Sequence, residues 1–385
     1  MVDDKFIDGL ITDAEKASPG KNTYIVEGNR ATAKYVTHPL IVFVNSLEAY
    51  LEKLKTILTE NDKVFIHWLH YRLEEFLLSL PANIKIGLFF WGGEIVQEPK
   101  EAYKKDNYEP ITMKYFEKNI ERRPRHLSIY KSPLNILRNL KRKREYQIQL
   151  KKTLQAKYQI LARLDYFIHW NKFDYDWIKQ RVTNFTASFQ YHFYDVGLET
   201  DLPVSVNNNK TLTFWLGNSA TVSNNHLDAL NLLKPLNKYN IKIICPMSYG
   251  DEDDHKYTRA VIEYGNTIFG SKFIGLTQFM PRIEYYKLFE EVDVVIMYHN
   301  RTQAAGNSAA FMLMGKKLFM QEQSTVYQLF KKYNASVFVN KDIANMNFEK
   351  LKTALTDEEI QHNKKVLGQI LDKQKKADTL KSLLN

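Results

Sequence analysis

The sequence predicts an α/β protein made of two domains, each built around a parallel β-sheet. Short apolar runs rich in β-branched and aromatic residues alternate with amphipathic stretches over residues 23–91 and again over residues 211–339. A polar, Asn-rich segment, TDLPVSVNNNK (200–210), separates the two series. Strands that alternate with helices indicate parallel sheets, so we expect two Rossmann-like domains that face each other across a cleft.

In the first series, four apolar runs predict strands and two amphipathic segments predict helices. The predicted strands are TYIVEG (23–28), LIVFVN (40–45), KVFIHWL (63–69) and IKIGLFFW (84–91). The predicted helices are LEAYLEKLKTILTE (47–60) and YRLEEFLLSL (71–80), the second ending before Pro81. The middle of the chain, about residues 106–195, is basic, aromatic and helical in pattern, and we predict no sheet there.

The second series predicts six strands separated by helices. In order, the strands are TLTFWL, IKIICPM, FIGLT, VDVVIMY, KLFM and SVFV. From Thr356 the pattern predicts one long terminal helix with a capping box formed by Thr356 and Glu359. We therefore assign an N-terminal domain with the basic middle segment to residues 1–205, a C-terminal domain to 206–345 and a helical tail to 346–385.

Composition restricts the class of protein. Among 385 residues there is a single cysteine, Cys245, which excludes a disulfide framework and is typical of a reducing cytoplasm. Cys245 lies in the apolar run IKIIC and is expected in the core. The start, MVDDKFIDGL, does not resemble a cleavable signal. No apolar segment approaches the roughly 18 residues that a bilayer span requires, so we expect a soluble or peripheral protein.

The net charge of +10 is unevenly distributed. One window holds ten basic residues against the single acid Glu121: Lys118, Arg122, Arg123, Arg125, Lys131, Arg138, Lys141, Arg142, Lys143 and Arg144. Ile136, Leu137 and Leu140 would share one face of a helix there, which is the pattern of an interfacial helix. An anionic membrane surface, nucleic acid and a plain solvated helix face remain open as explanations.

The segment Thr211–Asn225 predicts an anion-binding loop. A buried strand, TLTFWL, runs into the small-residue loop GNSATVSNN, and a helix follows with Leu227, Leu230 and Leu233 on one face. Free N–H groups and the helix dipole at such a helix start favour an anion such as phosphate. The loop side chains can donate to that anion or simply cap the helix: Asn218, Ser219, Ser223, Asn224 and Asn225. Asn225 is the expected cap, and His226 in the first turn is expected to be neutral.

A second candidate loop is YHNRTQAAGNSAAF (298–311), which follows the predicted strand VDVVIM. It therefore lies at the carboxyl end of a parallel strand, where open α/β sheets bind ligands. Arg301 can contact a diphosphate with two N–H groups, or can be a surface arginine. Gly306, Asn307 and Ser308 begin the next helix and can present N–H groups to phosphate or sugar hydroxyls.

Glu94 ends an apolar strand beside two glycines and is the candidate general base, although a hydrogen-bonded structural carboxylate would fit the same pattern. His67, at the end of the preceding strand, is the reserve candidate. The acidic run from Asp251 to Asp254, followed by His255, precedes a predicted helix, where acids favour the dipole. We predict no bound metal.

Several motifs occur in order along the second half: LGNSATVSNNHLDAL, IICPMSY, YYKLFEEVDVVIMYHNRTQAAGN and LMGKKLFM. Together they resemble the bacterial 4-alpha-L-fucosyltransferase family, which includes the transferases of TDP-4-acetamido-4,6-dideoxygalactose in enterobacterial common antigen synthesis. The matching residues are Gly217, Asn218, Ser219, Ser223, Asn224, His226, Pro246, Tyr249, Asp293, Arg301, Gln303, Gly306 and Asn307. In the first half, Trp91, Gly92 and Glu94 match a strand-end motif of the family, and His67 matches a strand-end histidine. The family's first strand and glycine turn have no counterpart, and Thr302 interrupts its R-Q-Q pattern.

The resemblance implies a GT-B glycosyltransferase that needs no metal. The donor, a TDP-sugar, would occupy the C-terminal domain, where Arg301 would neutralise the leaving diphosphate. Its further binding residues would be Gly217, Asn218, Ser219, Asn224, Asn225, His226, Tyr249, Gln303, Gly306 and Asn307. A polyprenyl-diphosphate-linked glycan would be the acceptor in the N-terminal domain, with Glu94 or His67 near its hydroxyl.

The resemblance also implies a location. The protein would bind the anionic cytoplasmic face of the bacterial inner membrane as a peripheral protein, and not nucleic acid. Two alternatives remain: a nucleotide-sugar epimerase of the same architecture, and a nucleic-acid-binding protein that uses the basic window. The second alternative leaves the loops around Asn218 and Arg301 unexplained.

Overall fold

The computed structural model describes residues 1–94, 104–119, 133–195, 202–205, 211–251 and 255–385. The chain forms two compact units. Unit 1 comprises Met1–Glu98, Gln147–Gly197 and Gln369–Asn385, and unit 2 comprises Pro99–Tyr146 and Leu198–Gly368. The sequence analysis assigned residues 1–205 to one domain and residues 346–385 to a separate tail. In the structure, the chain passes between the two units four times.

The described residues form twelve strands and fifteen α-helices. The strands are β1 (Tyr24–Glu27), β2 (Ile41–Val44), β3 (Lys63–His67), β4 (Lys85–Phe89), β5 (Tyr166–His169), β6 (Ser188–Tyr191), β7 (Leu212–Leu216), β8 (Ile241–Pro246), β9 (Phe273–Leu276), β10 (Val294–Met297), β11 (Lys317–Met320) and β12 (Phe338–Val339). The helices are α1 (Ile7–Ala17), α2 (Leu47–Ile57), α3 (Glu74–Ser79), α4 (Lys104–Asn107), α5 (Pro110–Asn119), α6 (Pro133–Arg163), α7 (Lys172–Arg181), α8 (His226–Leu233), α9 (Lys256–Phe269), α10 (Arg282–Glu290), α11 (Ala305–Leu313), α12 (Thr325–Lys332), α13 (Phe348–Lys352), α14 (Asp357–Ile370) and α15 (Lys373–Leu384).

Unit 1 holds a parallel sheet with the strand order β3-β4-β5-β6 and a separate parallel pair, β1-β2. His67 lies opposite Phe89, and Phe89 lies opposite Ile168, so the carboxyl ends of these strands meet at one edge. α1 and α15 pack Leu10 and Leu380 against Phe89 and Ile168. All four strands predicted in the first series are present.

The expectation that residues 106–195 contain no sheet is wrong, because β5 and β6 lie there. Each strand has only four residues, YFIH and SFQY, and Phe167 and Ile168 are buried on both faces of the sheet. β5 is short and covered on both faces, so it has no alternating pattern to reveal it.

Unit 2 holds a parallel six-stranded sheet with the order β12-β11-β10-β7-β8-β9. All six strands predicted in the second series are present. β7 and β10 are buried along their whole length, as expected for central strands of a sheet covered on both faces. α5 also belongs to this unit, since Ile111 and Tyr115 pack against the core around α8.

The terminal helix begins with the predicted capping box. The amide of Thr356 donates to Glu359 Oε2 at 2.8 Å, and the amide of Glu359 donates to Thr356 Oγ1 at 3.2 Å. The single long helix, however, is wrong: α14 and α15 are separated by a turn at Asp372. Asp372 caps α15 through the amide of Lys375, and the turn lets Lys376 reach Asp13 of α1 at 2.8 Å.

The basic window is described only in part. Residues 120–132 lie outside the described residues, and so do the side chains of Lys118, Arg138, Arg142 and Lys143. The stretch from Pro133 onward is helical, within α6, and Lys141 and Arg144 are exposed. Among the described residues, no helix combines the length and the apolar character needed to cross a membrane.

Candidate active site

The two predicted loops of unit 2 begin side by side. β7 and β10 are neighbours, with Leu216 opposite Ile296, and the chain order of the strands reverses between them. In open parallel sheets, the crevice at the carboxyl ends of the strands at such a reversal binds ligands. The loops at Gly217–Asn225 and Tyr298–Ala304 both leave the sheet at this point, so tertiary structure unites the two predicted anion sites.

Gly217 makes the first turn after β7. Its φ is +71°, and a Cβ there would lie 2.9 Å from His226 Nε2 and 3.0 Å from Asn224 Oδ1. Its amide donates to Ile296 O at 2.9 Å, which ties the turn to β10. Glycine is required for this backbone conformation and for the close approach of two side chains. Its amide is engaged and does not face a ligand.

Asn218 and Gln303 connect the loops. Asn218 Nδ2 donates to the hydroxyl of Tyr249 at 3.1 Å, and Asn218 Oδ1 accepts from Gln303 Nε2 at 2.8 Å. Gln303 Oε1 in turn accepts from Ser223 Oγ at 2.9 Å. Residues that follow β7, β8 and β10 thus form one hydrogen-bonded chain, and Tyr249, 56% exposed, is its outer end.

Arg301 extends this chain and is only half-buried. Its Nε donates to Ser223 Oγ at 3.3 Å and its Nη1 donates to Thr302 O at 3.1 Å. The charge of the guanidinium affects two neighbouring side chains. Burial raises the pKa of Tyr108 to about 12, although the Arg301 charge opposes this rise. Burial and the Arg301 charge together lower the pKa of His299 to about 3. Hydrogen bonds therefore fix the positive charge of Arg301 at the point where the strand order reverses, and this charge is suited to an anionic ligand.

Ser219, Asn224 and His226 form a buried framework beneath the loop. Asn224 Nδ2 donates to Ser219 O at 2.9 Å, and Asn224 Oδ1 accepts from the amide of Asn218 at 3.3 Å. The amide of His226 donates to the hydroxyl of Tyr257 at 3.2 Å. Burial lowers the pKa of His226 to about 3, so the imidazole is neutral. These side chains hold the loop in shape.

Asn225 occupies the N-cap position of α8 with φ +51°, but its side chain does not cap the helix. Nδ2 donates to Asn107 O and to Tyr298 O, each at 3.0 Å, and Oδ1 accepts from the amide of Glu109 at 3.0 Å. The expected cap is wrong, because the amide is recruited to bind a segment that is distant in sequence.

That segment contains a residue that the sequence patterns did not single out. Glu109 Oε1 accepts from Asn300 Nδ2 and from Gln323 Nε2, each at 3.1 Å. Asp228 in α8 then caps α5 by accepting from the amides of Ile111 and Thr112 at 2.8 Å. These contacts hold the segment before α5 beside the loop that carries Arg301.

Gly306 and Asn307 lie in the first turn of α11. Ala304 precedes the helix in the left-handed region, with φ +55°. The amides of Ala305, Gly306 and Asn307 have no partner within the helix, so they can receive an anion. Asn307 Nδ2 donates to the hydroxyl of Tyr285 at 3.0 Å.

In unit 1, Glu94 is fully buried. Its Oε1 accepts from the amide of Trp91 at 2.7 Å, whereas Oε2 has no hydrogen-bond partner among the described residues. Burial raises the pKa of Glu94 to about 7, against the opposing effects of the amide of Trp91 and the charges of His169 and Lys157. A carboxyl group that titrates near neutral pH is suited to exchange a proton with a substrate.

His67 is joined to Glu94 through two aromatic residues. His67 Nδ1 lies 3.1 Å from the hydroxyl of Tyr194, which also accepts from Trp91 Nε1 at 2.7 Å. The ring stacks on Phe89 with a centroid distance of 4.4 Å. Burial is the main cause that lowers the pKa of His67 well below its usual value. His67 is a neutral member of this cluster.

The sequence patterns missed two more histidines at the same sheet edge. His169, at the end of β5, has its Nε2 2.8 Å from Asp174 Oδ2, and both side chains are buried. His192 follows β6, and burial lowers its pKa to about 3. A signal for His169 was present: the tetrapeptide FIHW occurs at 65–68, where it was identified as a strand end, and again at 167–170.

Three other expectations concern residues away from these loops. Cys245 is fully buried in β8. Asp251 Oδ2 accepts from the amide of Thr258 at 2.8 Å, in the first turn of α9, and residues 252–254 lie outside the described residues. In the part of the chain that is described, no group of three or more His, Cys, Asp or Glu side chains could hold a metal ion.

Comparison with solved structures identifies the fold. An alpha,alpha-trehalose-phosphate synthase (UDP-forming) from Burkholderia xenovorans is 11% identical, with a TM-score of 0.53, over 97% of this chain and 94% of that chain. A trehalose-6-phosphate structure from E. coli bound with UDP-2-fluoro glucose is 15% identical, with a TM-score of 0.52, over 97% and 93%. A glycosyltransferase from Rickettsia africae is 11% identical, with a TM-score of 0.52, over 98% and 94%. These likenesses show the GT-B fold.

The sequence profile described as 4-alpha-L-fucosyltransferase, glycosyl transferase group 56, matches residues 157–366, more than half of the chain. The matched region includes the loops that carry Asn218 and Arg301, and in unit 1 it includes β5 and β6. The chain therefore belongs to the 4-alpha-L-fucosyltransferase family, glycosyl transferase group 56, and is a fucosyltransferase-like glycosyltransferase of the GT-B fold.

Proposed function

We propose that the protein transfers a 4-acetamido-4,6-dideoxygalactose-like residue, or a related deoxysugar, from a TDP-sugar to a polyprenyl-diphosphate-linked glycan. Membership of the family supports a nucleotide-sugar donor and a glycan acceptor. The observation that carries the proposal is the hydrogen-bonded chain from Tyr249 to Arg301 at the strand-order reversal of the unit 2 sheet. This part of the protein combines a held cation, amide donors and a helix start.

In this proposal the donor diphosphate binds at Arg301 and at the first-turn amides of α11. Negative charge grows on the diphosphate as the bond to the sugar breaks, and a preorganised guanidinium with aligned amides stabilises that charge. Asn218, Gln303 and Tyr249 supply further hydrogen-bonding groups for the donor. These groups can neutralise the diphosphate without a metal ion.

Glu94 is the proposed general base. The acceptor hydroxyl oxygen forms a bond to the anomeric carbon of the donor sugar, and the bond from that carbon to the diphosphate breaks. The electron pair of the broken bond leaves with TDP, while the hydroxyl proton passes to Glu94 Oε2. Its pKa of about 7 allows Glu94 to be ionised before the reaction and to hold the proton afterwards.

We further propose that the basic window holds the protein on the anionic cytoplasmic face of the bacterial inner membrane, where a lipid-linked acceptor is displayed. The exposed Lys141 and Arg144 of α6 support this role. Each basic residue near an anionic leaflet contributes about 1 kcal/mol of binding.

A transfer assay tests the proposal. The full chain is incubated with TDP-4-acetamido-4,6-dideoxygalactose and a membrane extract that contains lipid-linked glycans, with and without EDTA. We expect labelled sugar in the lipid fraction, free TDP and no effect of EDTA. Formation of an isomeric TDP-sugar without transfer would contradict the proposal in favour of an epimerase, and a requirement for magnesium would contradict the metal-free mechanism.

A further inference from the structure

Trp68 has a backbone conformation that is unusual for a large side chain. It follows His67 at the end of β3 with φ +70°. Among the described non-glycine residues with positive φ, four of the seven are asparagines, which tolerate this region. An aromatic residue is disfavoured there, and such strain persists where the surroundings impose it, often at functional sites.

The indole of Trp68 lies against Trp91. Their ring centroids are 6.0 Å apart with an interplanar angle of 78°. Trp91 is held in place, because its Nε1 donates to the Tyr194 hydroxyl at 2.7 Å and its ring packs edge-on to Phe6 at 5.6 Å. Both indoles are only half-buried, whereas Trp215 in unit 2 is fully buried. The pair therefore presents apolar ring surface beside a fixed scaffold.

The carboxylate that the backbone of Trp91 holds has one unpartnered oxygen. The amide of Trp91 donates to Glu94 Oε1 at 2.7 Å, and the other carboxylate oxygen, Oε2, has no partner among the described residues although it is fully buried. A buried acceptor without a donor is costly, and a ligand hydroxyl would satisfy it. Apolar ring surface next to such an acceptor complements a sugar ring, which has apolar C–H faces and hydroxyl donors at its edge.

We propose that Trp68 and Trp91 form the subsite for a pyranose ring of the acceptor, with one sugar hydroxyl donating to Glu94 Oε2. That this sugar belongs to the acceptor rests on the proposed function. The strain at Trp68 is then explained, because a left-handed residue at the strand end sets this indole against Trp91.

The indole N–H signals of the five tryptophans give a test that does not depend on turnover. The full chain is labelled with ¹⁵N at the tryptophan indoles, and each signal is assigned from a Trp→Phe variant. The probes are the methyl glycosides of glucose, N-acetylglucosamine and glucuronic acid. We expect at least one of them to shift the signals of Trp68 and Trp91 saturably and to leave those of Trp177 and Trp215 unchanged. No shift with any glycoside, or equal shifts at Trp177, would overturn the subsite.

Kinetics of Trp68 variants provide the second test. Trp177 is a matched control, because it is also half-buried in unit 1 but packs under Arg181 at 4.1 Å. We expect Trp68→Phe to raise the KM for the lipid-linked acceptor about tenfold while KM for the TDP-sugar and kcat stay within about twofold. Trp68→Gly, which removes both the ring and the strain, should raise the acceptor KM further without lowering the unfolding temperature. An acceptor KM unchanged by both substitutions would overturn the proposal.

A Glu94→Gln variant separates this inference from the proposed function. Loss of transfer with retained indole shifts supports both. Retained transfer with retained shifts removes Glu94 as the base and leaves the sugar subsite in place. If Glu94→Gln loses transfer but the glycosides cause no indole shifts in the unsubstituted protein, the sugar subsite is contradicted and the role of Glu94 as the base is not.

Discussion

Gln303 Nε2 lies 2.8 Å from Asn218 Oδ1, and this hydrogen bond joins the loops after β7 and β10. Gln303 can do so because its other end, Oε1, accepts from Ser223 Oγ at 2.9 Å. The side-chain amide of Gln303 therefore donates to Asn218 near the start of the β7 loop and accepts from Ser223 near its end.

Replacing Gln303 with Glu should weaken nucleotide binding and stability together. The carboxylate cannot donate to Asn218 Oδ1, so two acceptors would face each other and one would lose its partner, at a cost of about 1–3 kcal/mol. Calorimetry with TDP and urea unfolding of the same variant measure both effects. Gln374→Glu on the surface of α15 is the matched control. Unchanged TDP affinity in Gln303→Glu would separate this contact from the donor site.

Replacing Arg301 with Ala should lower kcat more than it lowers donor affinity, because charge on the diphosphate increases toward the transition state. Loss of one such donor typically reduces the rate about 10²–10³-fold. Arg301→Lys should restore activity only in part, since an ammonium lacks the two-pronged geometry. Arg181→Ala in α7 is the control. Near-normal turnover of Arg301→Ala would show that the diphosphate binds elsewhere.

The pH dependence should report Glu94. A base must be ionised, so kcat/KM should fall as the pH decreases below about 7. For stability the sign is opposite to that of an ordinary paired carboxylate. Burial raises the folded-state pKa above the ordinary value of 4.5, so the folded protein binds more protons than the unfolded chain and loses stability as the pH rises from about 4.5 to 7.

Glu94→Gln should remove this loss of stability. Comparison of the variant with the unsubstituted protein isolates Glu94 from the buried histidines, whose lowered pKa values act in the opposite direction. Relative to the unsubstituted protein, we expect the unfolding free energy of the variant to increase by up to about 3 kcal/mol as the pH rises from 4.5 to 7. Urea unfolding at several pH values measures it. A difference that is constant with pH would mean that Glu94 does not titrate in this range.

Replacing Gly217 with Ala should destabilise unit 2 and weaken TDP binding. The substitution combines left-handed strain with contacts of 2.9 Å to His226 and 3.0 Å to Asn224, and we expect a loss of about 2–3 kcal/mol. Gly20→Ala shares the positive φ, at +67°, but has open space around it, so it isolates the strain, which is about 1 kcal/mol. Equal unfolding midpoints for the two variants would show that the crowding by His226 and Asn224 is unimportant.

The basic window should bind anionic vesicles. We expect co-sedimentation with phosphatidylglycerol-containing liposomes, weakened by salt, and none with phosphatidylcholine alone. Changing Lys141, Arg142, Lys143 and Arg144 together to Gln should abolish binding and leave TDP affinity intact. The control removes the same charge from exposed lysines elsewhere: Lys331, Lys332, Lys365 and Lys373. Equal loss in the control variant would mean that net charge alone drives the association.

The residues of the β7 and β10 loops could be found in the sequence because their signals are local. A central parallel strand is apolar along its whole length, and the small polar residues after it begin at its carboxyl end. Gly217, Asn218 and Arg301 are each recognisable from the few residues around them. That these residues meet is a consequence of strand order: 77 residues lie between Leu216, the last residue of β7, and Val294, the first residue of β10, yet the two strands are adjacent in the sheet.

The roles of Asn225 and Glu109 could not be predicted because each depends on a partner far away in sequence. Asn225 begins a helix, which predicts a cap, yet the segment around Asn107 competes successfully for its amide. His169 repeats the FIHW pattern of β3, but its strand is too short to stand out from the aromatic helices around it.

The sequence by itself determined the α/β class, the ten strands of the two alternating series, the family motifs and most of the residues near the strand ends. Tertiary structure alone decided that α5 belongs to unit 2, that the chain returns to unit 1 at α15, and that Trp68 packs against Trp91. The physical reason is that hydrophobic periodicity and turn residues reflect the local backbone conformation of the segment that contains them. Hydrogen bonds and packing between distant segments depend on the order and register of strands, which no local pattern contains.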